Sequence, residues 1–178
     1  MLRGELVTLR AREASDDERF AAELYDDVEE HSRSAGVAWR PLNPGALAFP
    51  LPESAAHVAN FSVVVTTSGE LAGLAVLWGI DAHNRRAHLG LTLFPSFRGR
   101  GYGSDVVAVL CRYGFSTLGL HRLALETLAD NAAMQRAAER SGFVLEGRMR
   151  EASWANGAFH DEVRFGLLAD DWRARNPS

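Results

Sequence analysis

The sequence contains no lysine; all nineteen of its basic side chains other than histidine are arginine. Schiff-base chemistry with a cofactor or carbonyl substrate needs an amine, so it is excluded. The phosphate loop whose lysine reaches the terminal phosphates is excluded for the same reason. A single cysteine, Cys111, rules out an intramolecular disulfide and any zinc site built on several thiolates, and it points to a reducing compartment. A basic excess is missing too: the net charge of −4 argues against a general nucleic-acid binder. The longest apolar stretch, Leu71 to Ile80, is far short of a membrane span, and the first residues carry no apolar signal core. The expectation is a cytoplasmic protein with neither a membrane nor a nucleic acid as partner.

What is present is a globular balance of 47% hydrophobic and 24% charged residues over 178 positions, enough for one domain spanning 1–178. Leu6 to Arg10 reads as a first strand. Ser15, with Glu18 three residues on, predicts a capping box opening an acidic helix to about Asp27. Prolines 41, 44, 50 and 52 make the stretch from Gly36 to Pro52 irregular. Phe61 to Thr67, Leu71 to Ile80 and Ala87 to Phe94, separated by turns at Ser68-Gly69 and Asn84 to Arg86, predict an antiparallel meander.

The pattern then changes. A glycine-rich stretch ends at Gly103, and a helix is predicted from about Ser104 to Leu118. Val107, Leu110, Cys111 and Gly114 fall on one face of it, which makes Cys111 a core residue. A short strand, Arg122 to Leu128, follows. Asn131 caps a helix that stops at Ser141-Gly142. Phe143 to Glu151 and Phe159 to Leu168 close the chain as a hairpin. The fold class is α/β (α+β), with a mainly antiparallel sheet and a strand–loop–helix–strand crossover at its centre.

The crossover loop carries the chemistry. Alternating glycines in Arg98-Gly99-Arg100-Gly101-Tyr102-Gly103 let backbone N–H groups converge on an anion, and the next helix adds its own unpaired N–H groups. A pyrophosphate suits such a loop; the plainer reading is a tight turn with two solvated arginines. A dinucleotide fold would also place glycines between strand and helix, with Glu126 as the ribose-binding acid. That pattern requires Gly or Ala where this sequence has Ser104, and no second βαβ unit follows.

The loop resembles the acyl-CoA loop of the GNAT superfamily of N-acetyltransferases, Arg/Gln-x-x-Gly-x-Gly/Ala, at Arg98, Gly101 and Gly103. The resemblance continues in register through His121-Arg122, Asp130-Asn131, Arg136, Glu139, Ser141-Gly142-Phe143, Glu146-Gly147 and Met149-Arg150-Glu151. It closes on Gly157, His160-Asp161, Leu167-Leu168 and Asp171-Trp172. This run is similar to the ribosomal-protein-alanine N-acetyltransferases, the Rim type. Leu6 to Arg12 and Asn84 to Gly90 also fit, so the likeness covers nearly the whole chain.

The resemblance implies a sheet splayed at its centre, helices on both faces, and acetyl-CoA wedged between the strands Ala87–Phe94 and Arg122–Leu128. Leu91, Thr92 and Leu93 would pair with the pantetheine arm as a strand would. Gly99 to Gly103 and Ser104, with Arg98 and Arg100, would hold the pyrophosphate. Asn131 and Arg136 would reach the cofactor from the next helix. Asn131 can cap and bind at once, because a capping amide keeps N–H donors.

Transfer needs a neutral acceptor amine, hence a proton acceptor. His88 stands where the Rim type places a carboxylate, and its ordinary pKa near 6.5 suits the task. Glu126 on the neighbouring strand is the second candidate. Period-2 alternation puts His88, Gly90 and Thr92 on one face, with glycine leaving room for a substrate. The family's positions for an acid toward the leaving thiolate hold Met134 and Ala138, so Tyr102, Tyr113, water or no acid at all remain open. The histidines show no ligand spacing, and no metal is expected. Nine acidic residues between Glu13 and Glu30, against the one base Arg19, form either a solvated helix face or an attractor for a cationic acceptor. The implied activity is acetyl-CoA-dependent N-acetylation of a primary amine: a protein N-terminus, a small amine, an amino-acid conjugate or an aminoglycoside. A non-catalytic acyl-CoA binding or sensing domain is the alternative. Dimerisation is common in the family, and no residue of the sequence tests for a homodimer.

Overall fold

The structure, a computed structural model, describes residues 1–43, 45–50 and 55–177. Pro44, residues 51–54 and Ser178 lie outside the described residues, and of these Pro44, Leu51 and Pro52 belong to the stretch expected to be irregular.

Eight strands form one sheet in the order β1-β2-β3-β4-β5-β6-β8-β7. They are β1 (Leu2–Arg3), β2 (Val7–Arg10), β3 (Val58–Val65), β4 (Leu71–Asp81), β5 (Arg86–Leu93), β6 (Arg122–Leu128), β7 (Val144–Ala155) and β8 (Ala158–Leu168). Every neighbouring pair is antiparallel except β5 and β6, which run parallel. That pair needs a crossover, and α3 (Tyr102–Arg112) supplies it. The meander and the closing hairpin match the sequence expectation; β1 carried too little apolar pattern to be foreseen.

Helices cover both faces of the sheet. Phe61 and Ser62 are neighbours on β3 and so point to opposite faces. The Phe61 ring meets Tyr113, at the end of α3, edge-on at 5.4 Å. The Ser62 hydroxyl donates to Asp16, at the head of the first helix, at 2.6 Å. Val107, Leu110 and Cys111 of α3 are buried in one continuous apolar cluster, as the helical spacing predicts.

The first helical region departs from expectation. Ser15 is not a cap; it lies inside a single 3-10 turn, Ala14–Asp16. The carboxylate that organises this corner is Asp16, only 4% exposed. It takes both terminal nitrogens of Arg10 at 2.7 and 2.6 Å, the Glu13 N–H at 2.9 Å and the Ser62 hydroxyl. A carboxylate filled by an arginine fork outweighs a serine hydroxyl as the organiser. From there α1 (Asp17–Phe20) runs into a wide turn, Ala21–Tyr25, closed by the Asp26 N–H on the Ala21 carbonyl. Asp27 then caps a further helix, α2 (Val28–Ser34), by accepting from the Glu30 N–H at 3.0 Å. α4 (Ala132–Arg140) and α5 (Ala169–Arg175) complete the set.

Part of the acidic run is engaged within the fold, while Glu18, Asp26 and Glu29 stay exposed. Asp16, Asp17 and Glu30 are paired with Arg10, Arg12 and Arg98, Glu23 approaches Arg19, and Asp27 is a cap.

Candidate active site

The sheet opens between its two parallel strands. β5 and β6 pair only at Arg86–Arg122, Ala87–Leu123 and His88–Ala124. Beyond His88, residues 89–93 keep bonding to β4, and residues 125–128 keep bonding to β8. Leu91, Thr92 and Leu93 therefore hold one strand edge without a partner strand, facing a gap that widens toward the crossover loop.

A bulge bends β4 beside the branch point. Trp78 pairs with His88 and Asp81 with Arg86, so Gly79 and Ile80 together oppose Ala87. At the other end of β5 the two backbones approach closely. A Cβ on Gly73, at φ +155°, would lie 2.2 Å from the Thr92 carbonyl oxygen.

The loop above the gap is built on positive-φ glycines, Gly99 at +73° and Gly101 at +85°, the latter immediately preceding α3. Among the described residues, nothing lies within 4 Å of where a Gly99 side chain would sit. Among the described residues, no carbonyl accepts from the N–H groups of residues 99–104. Those are the orphan donors of a helix start plus the turn before it.

The loop is braced from the N-terminus. Asp105 of α3 accepts from the N–H groups of Glu5, Leu6 and Val7 at 3.1, 2.7 and 2.8 Å. Leu6 lies 3.4 Å from where a Gly101 Cβ would stand.

The charged side chains of the loop differ. Arg98 turns back: its Nε donates to the Leu93 carbonyl at 3.0 Å, and its terminal nitrogens grip Glu30 of α2. Arg100 is exposed, with its guanidinium 5.8 Å from the Phe97 ring. Tyr102 and Ser104 open α3 and are half-buried. Asn131 caps α4 through Oδ1, accepting from the Met134 N–H at 3.1 Å, and its Nδ2 donates to Thr127 at 3.0 Å. One amide hydrogen is left. Arg136 is exposed and unpaired among the described residues.

His88 and Glu126 come together as neighbouring strands allow. His88 Nδ1 lies 3.9 Å from Glu126 Oε1 and has no hydrogen-bond partner among the described residues. The Trp78 indole stacks on the His88 ring, centroids 4.2 Å apart and 21° from parallel. Arg164, opposite Glu126 on β8, brings a terminal nitrogen within 2.5 Å of the same Oε1, an ion contact without hydrogen-bond geometry. Burial lowers the proton affinity of His88 below the ordinary histidine value; Glu126 opposes that, and Arg164, Arg86 and Arg122 reinforce it.

This cluster lies on the face covered by α1. Ser62 faces Leu74, Leu74 faces Thr92, and Thr92, Gly90 and His88 alternate along β5. Gly90 does not open free space as expected: a Cβ there would lie 3.2 Å from Val76 and 3.8 Å from Trp78. Tyr113 is eleven residues along α3 from Tyr102, about 16 Å away, and packs on Phe61, so it is not part of the site. Met134 is half-buried and Ala138 fully buried.

Sequence reasoning missed Arg164, Trp78 and Glu30. Register could have hinted at Trp78, as the residue opposite His88 in the meander, but no local signal marks the other two.

A sheet parted between parallel strands joined by a crossover helix is the fold of an acetyltransferase. It is shared with a crystal structure of a probable acetyltransferase at 25% identity and a TM-score of 0.76, over 94% of this chain and 96% of that one. The chain belongs to the acetyltransferase (GNAT) domain family, which matches residues 7–144. Over 172 residues it is 27% identical to the "Putative ribosomal N-acetyltransferase YdaF" of Bacillus subtilis (strain 168), covering 94% of each chain. It is 27% identical over 113 residues to the spermidine N(1)-acetyltransferase of Escherichia coli (strain K12), covering 64% of this chain and 61% of that one. The fold is also that of the crystal structure of spermidine N-acetyltransferase from Vibrio cholerae in complex with CoA and spermine. That likeness has a TM-score of 0.77 at 24% identity, over 94% of this chain and 98% of the other.

Proposed function

We propose that the chain moves the acetyl group of acetyl-CoA to a primary amine, with His88 as proton acceptor. The observation that carries this reading is the unpartnered β5 edge, which leads from the orphan N–H groups of residues 99–104 down to the His88–Glu126 pair. A pantetheine arm has the amides to pair with Leu91, Thr92 and Leu93 as an added strand. The pyrophosphate would sit on the N–H groups of Gly99, Arg100, Gly101, Tyr102, Gly103 and Ser104. Arg98 would contribute charge from behind the loop, Arg100 from the open side. Asn131 would offer its remaining amide hydrogen, and Arg136 its free guanidinium, to the cofactor from α4.

In the transfer step the amine nitrogen attacks the thioester carbonyl, and the proton it sheds goes to His88, directly or through one water. A histidine held below its ordinary pKa by burial is neutral, and so able to accept, at neutral pH. Glu126, oriented by Arg164, faces Nδ1 and would stabilise the imidazolium that forms. The C–S bond breaks and the sulfur leaves as thiolate. A thiol with an ordinary pKa near 8.5 is a good enough leaving group to take its proton from water, consistent with Met134 and Ala138 offering none.

Two measurements test the reading. Calorimetry is expected to show CoA and acetyl-CoA binding, and each should raise the melting temperature. An amine panel followed by thiol release is expected to show turnover. No binding at millimolar ligand would overturn the proposal; binding without turnover on any amine would leave only an acyl-CoA-binding domain.

A further inference from the structure

A separate cavity of about 490 Å3 lies between α2, the segment after it and the β7–β8 hairpin, a volume suited to a small molecule. Its walls include Val28 and Val37 and two exposed tryptophans, Trp39 and Trp154. Of the residues lining it, Glu162 alone is ionisable. Arg164, two residues along β8, is paired with Glu126, and Arg148 of β7 with Asp161. The half-buried Glu162 carboxylate has no ion pair of its own among the described residues.

We infer that this cavity is a cation subsite for the acceptor, taking an organic ammonium or guanidinium carried at the far end of the molecule whose amine is acetylated. The inference rests on the acetyl-transfer reading. A carboxylate in a mostly apolar recess is costly without a partner, and a neutral apolar guest would desolvate it further. A cation satisfies it, and indole faces attract the same charge.

The subsite lies on the same sheet face as the candidate catalytic pair. Glu162 and Arg164 alternate onto one face of β8, and Arg164 touches Glu126. Glu162 lies opposite Leu128 and His88 opposite Ala124, which puts them two strands and four residues apart, about 16 Å between Cα atoms. The acceptor is therefore elongated, with its two cationic ends on the order of 10 Å apart once the side chains that reach for them are allowed for. α2 ties the subsite to the gap: Val28 and Ser32 line the cavity, while Glu30 and Arg33 hold Arg98 and Asp130 beside the ends of β5 and β6.

The test compares octylamine with the terminal diamine of the same chain length, which differ only in the charge at the far end. The diamine is expected to exceed octylamine about tenfold in kcat/KM. Glu162→Gln and Trp154→Ala should each bring that ratio toward one. Trp154 is 59% exposed, so its loss leaves the core intact. A tripeptide amide ending in arginine, compared with its leucine counterpart, separates a peptide from a small diamine as the source of the cation. Equal or better use of octylamine, or a ratio unchanged in both variants, overturns the subsite. If no amine releases thiol, acetyl transfer itself has failed. Quenching of tryptophan fluorescence by the diamine, weakened in Glu162→Gln, then still decides whether the cavity binds cations.

Discussion

Glu30 holds both terminal nitrogens of Arg98, so a carboxylate on α2 occupies the arginine that leads the glycine loop. One turn on, Arg33 holds Asp130 at 2.7 Å. The two ion pairs lay α2 across the mouth of the gap, one at the end of β5 and one just beyond β6. On the proposed function, a pyrophosphate on the loop would approach the Glu30 charge through Arg98.

Glu30→Gln is therefore expected to tighten CoA binding several-fold at low ionic strength, with the gain shrinking as salt screens the repulsion. Titration calorimetry at two salt concentrations reads this. Weaker binding would mean that Glu30 serves the phosphate site by orienting Arg98.

Gly101→Val should lower CoA affinity by more than it lowers stability. At φ +85° a β-branched residue is strained on the order of 1–3 kcal/mol, and its side chain turns against Leu6. The loop must shift to relieve the strain, and the orphan N–H groups move with it. CoA affinity and melting temperature of the same variant are the readouts. Affinity retained at wild-type level would make the loop a mere turn.

His88→Ala should reduce turnover by about 10²–10⁴ with acetyl-CoA affinity nearly unchanged. In the native enzyme the acid limb of the pH–rate profile should lie below the ordinary histidine pKa, since burial disfavours the charged ring. Glu126 raises that pKa and Arg164 lowers it. Glu126→Gln is thus expected to move the limb further toward acid, and Arg164→Gln to move it back toward neutral. Shifts of the same sign would refute the arrangement, and a limb indifferent to all three changes would refute His88 as base.

Asp16 governs stability at low pH. Burial alone would raise its carboxyl, but the bonds from Arg10, Ser62 and the Glu13 N–H outweigh that and hold it at about 2. A carboxyl depressed by folding stabilises the native state above its ordinary pKa and loses that contribution as pH falls through the folded one. The contribution, roughly 2 kcal/mol at neutral pH, should fade between about pH 4 and pH 2. Chemical denaturation of wild type and Asp16→Asn across that range checks it; the difference should close toward the acid end.

Much of the architecture was legible because its signals are local. The β6 boundaries, the Asn131 cap, the Gly142 stop and the buried face around Cys111 follow from spacings within a few residues. The glycine loop was legible because a positive φ is written into residue type. The first helix misled because Ser15 and Glu18 carry the right local pattern, yet Asp16 is filled by Arg10 and by Ser62 from another strand. A contact forty-six residues away settled that corner.

The sequence by itself determined most of the strands, the glycine loop and the candidacy of His88 and Glu126, since each depends on backbone preferences, periodicity or family register. Only the tertiary structure decided which charges meet. Glu30 reaches Arg98 across sixty-eight residues, Asp105 braces the N-terminal strand across about a hundred, and Arg164 takes Glu126 through strand register. Among the described residues Glu162 is left without a cation for the same reason: ion pairing is settled by distance in space, and chain closure brings together side chains that no local pattern relates.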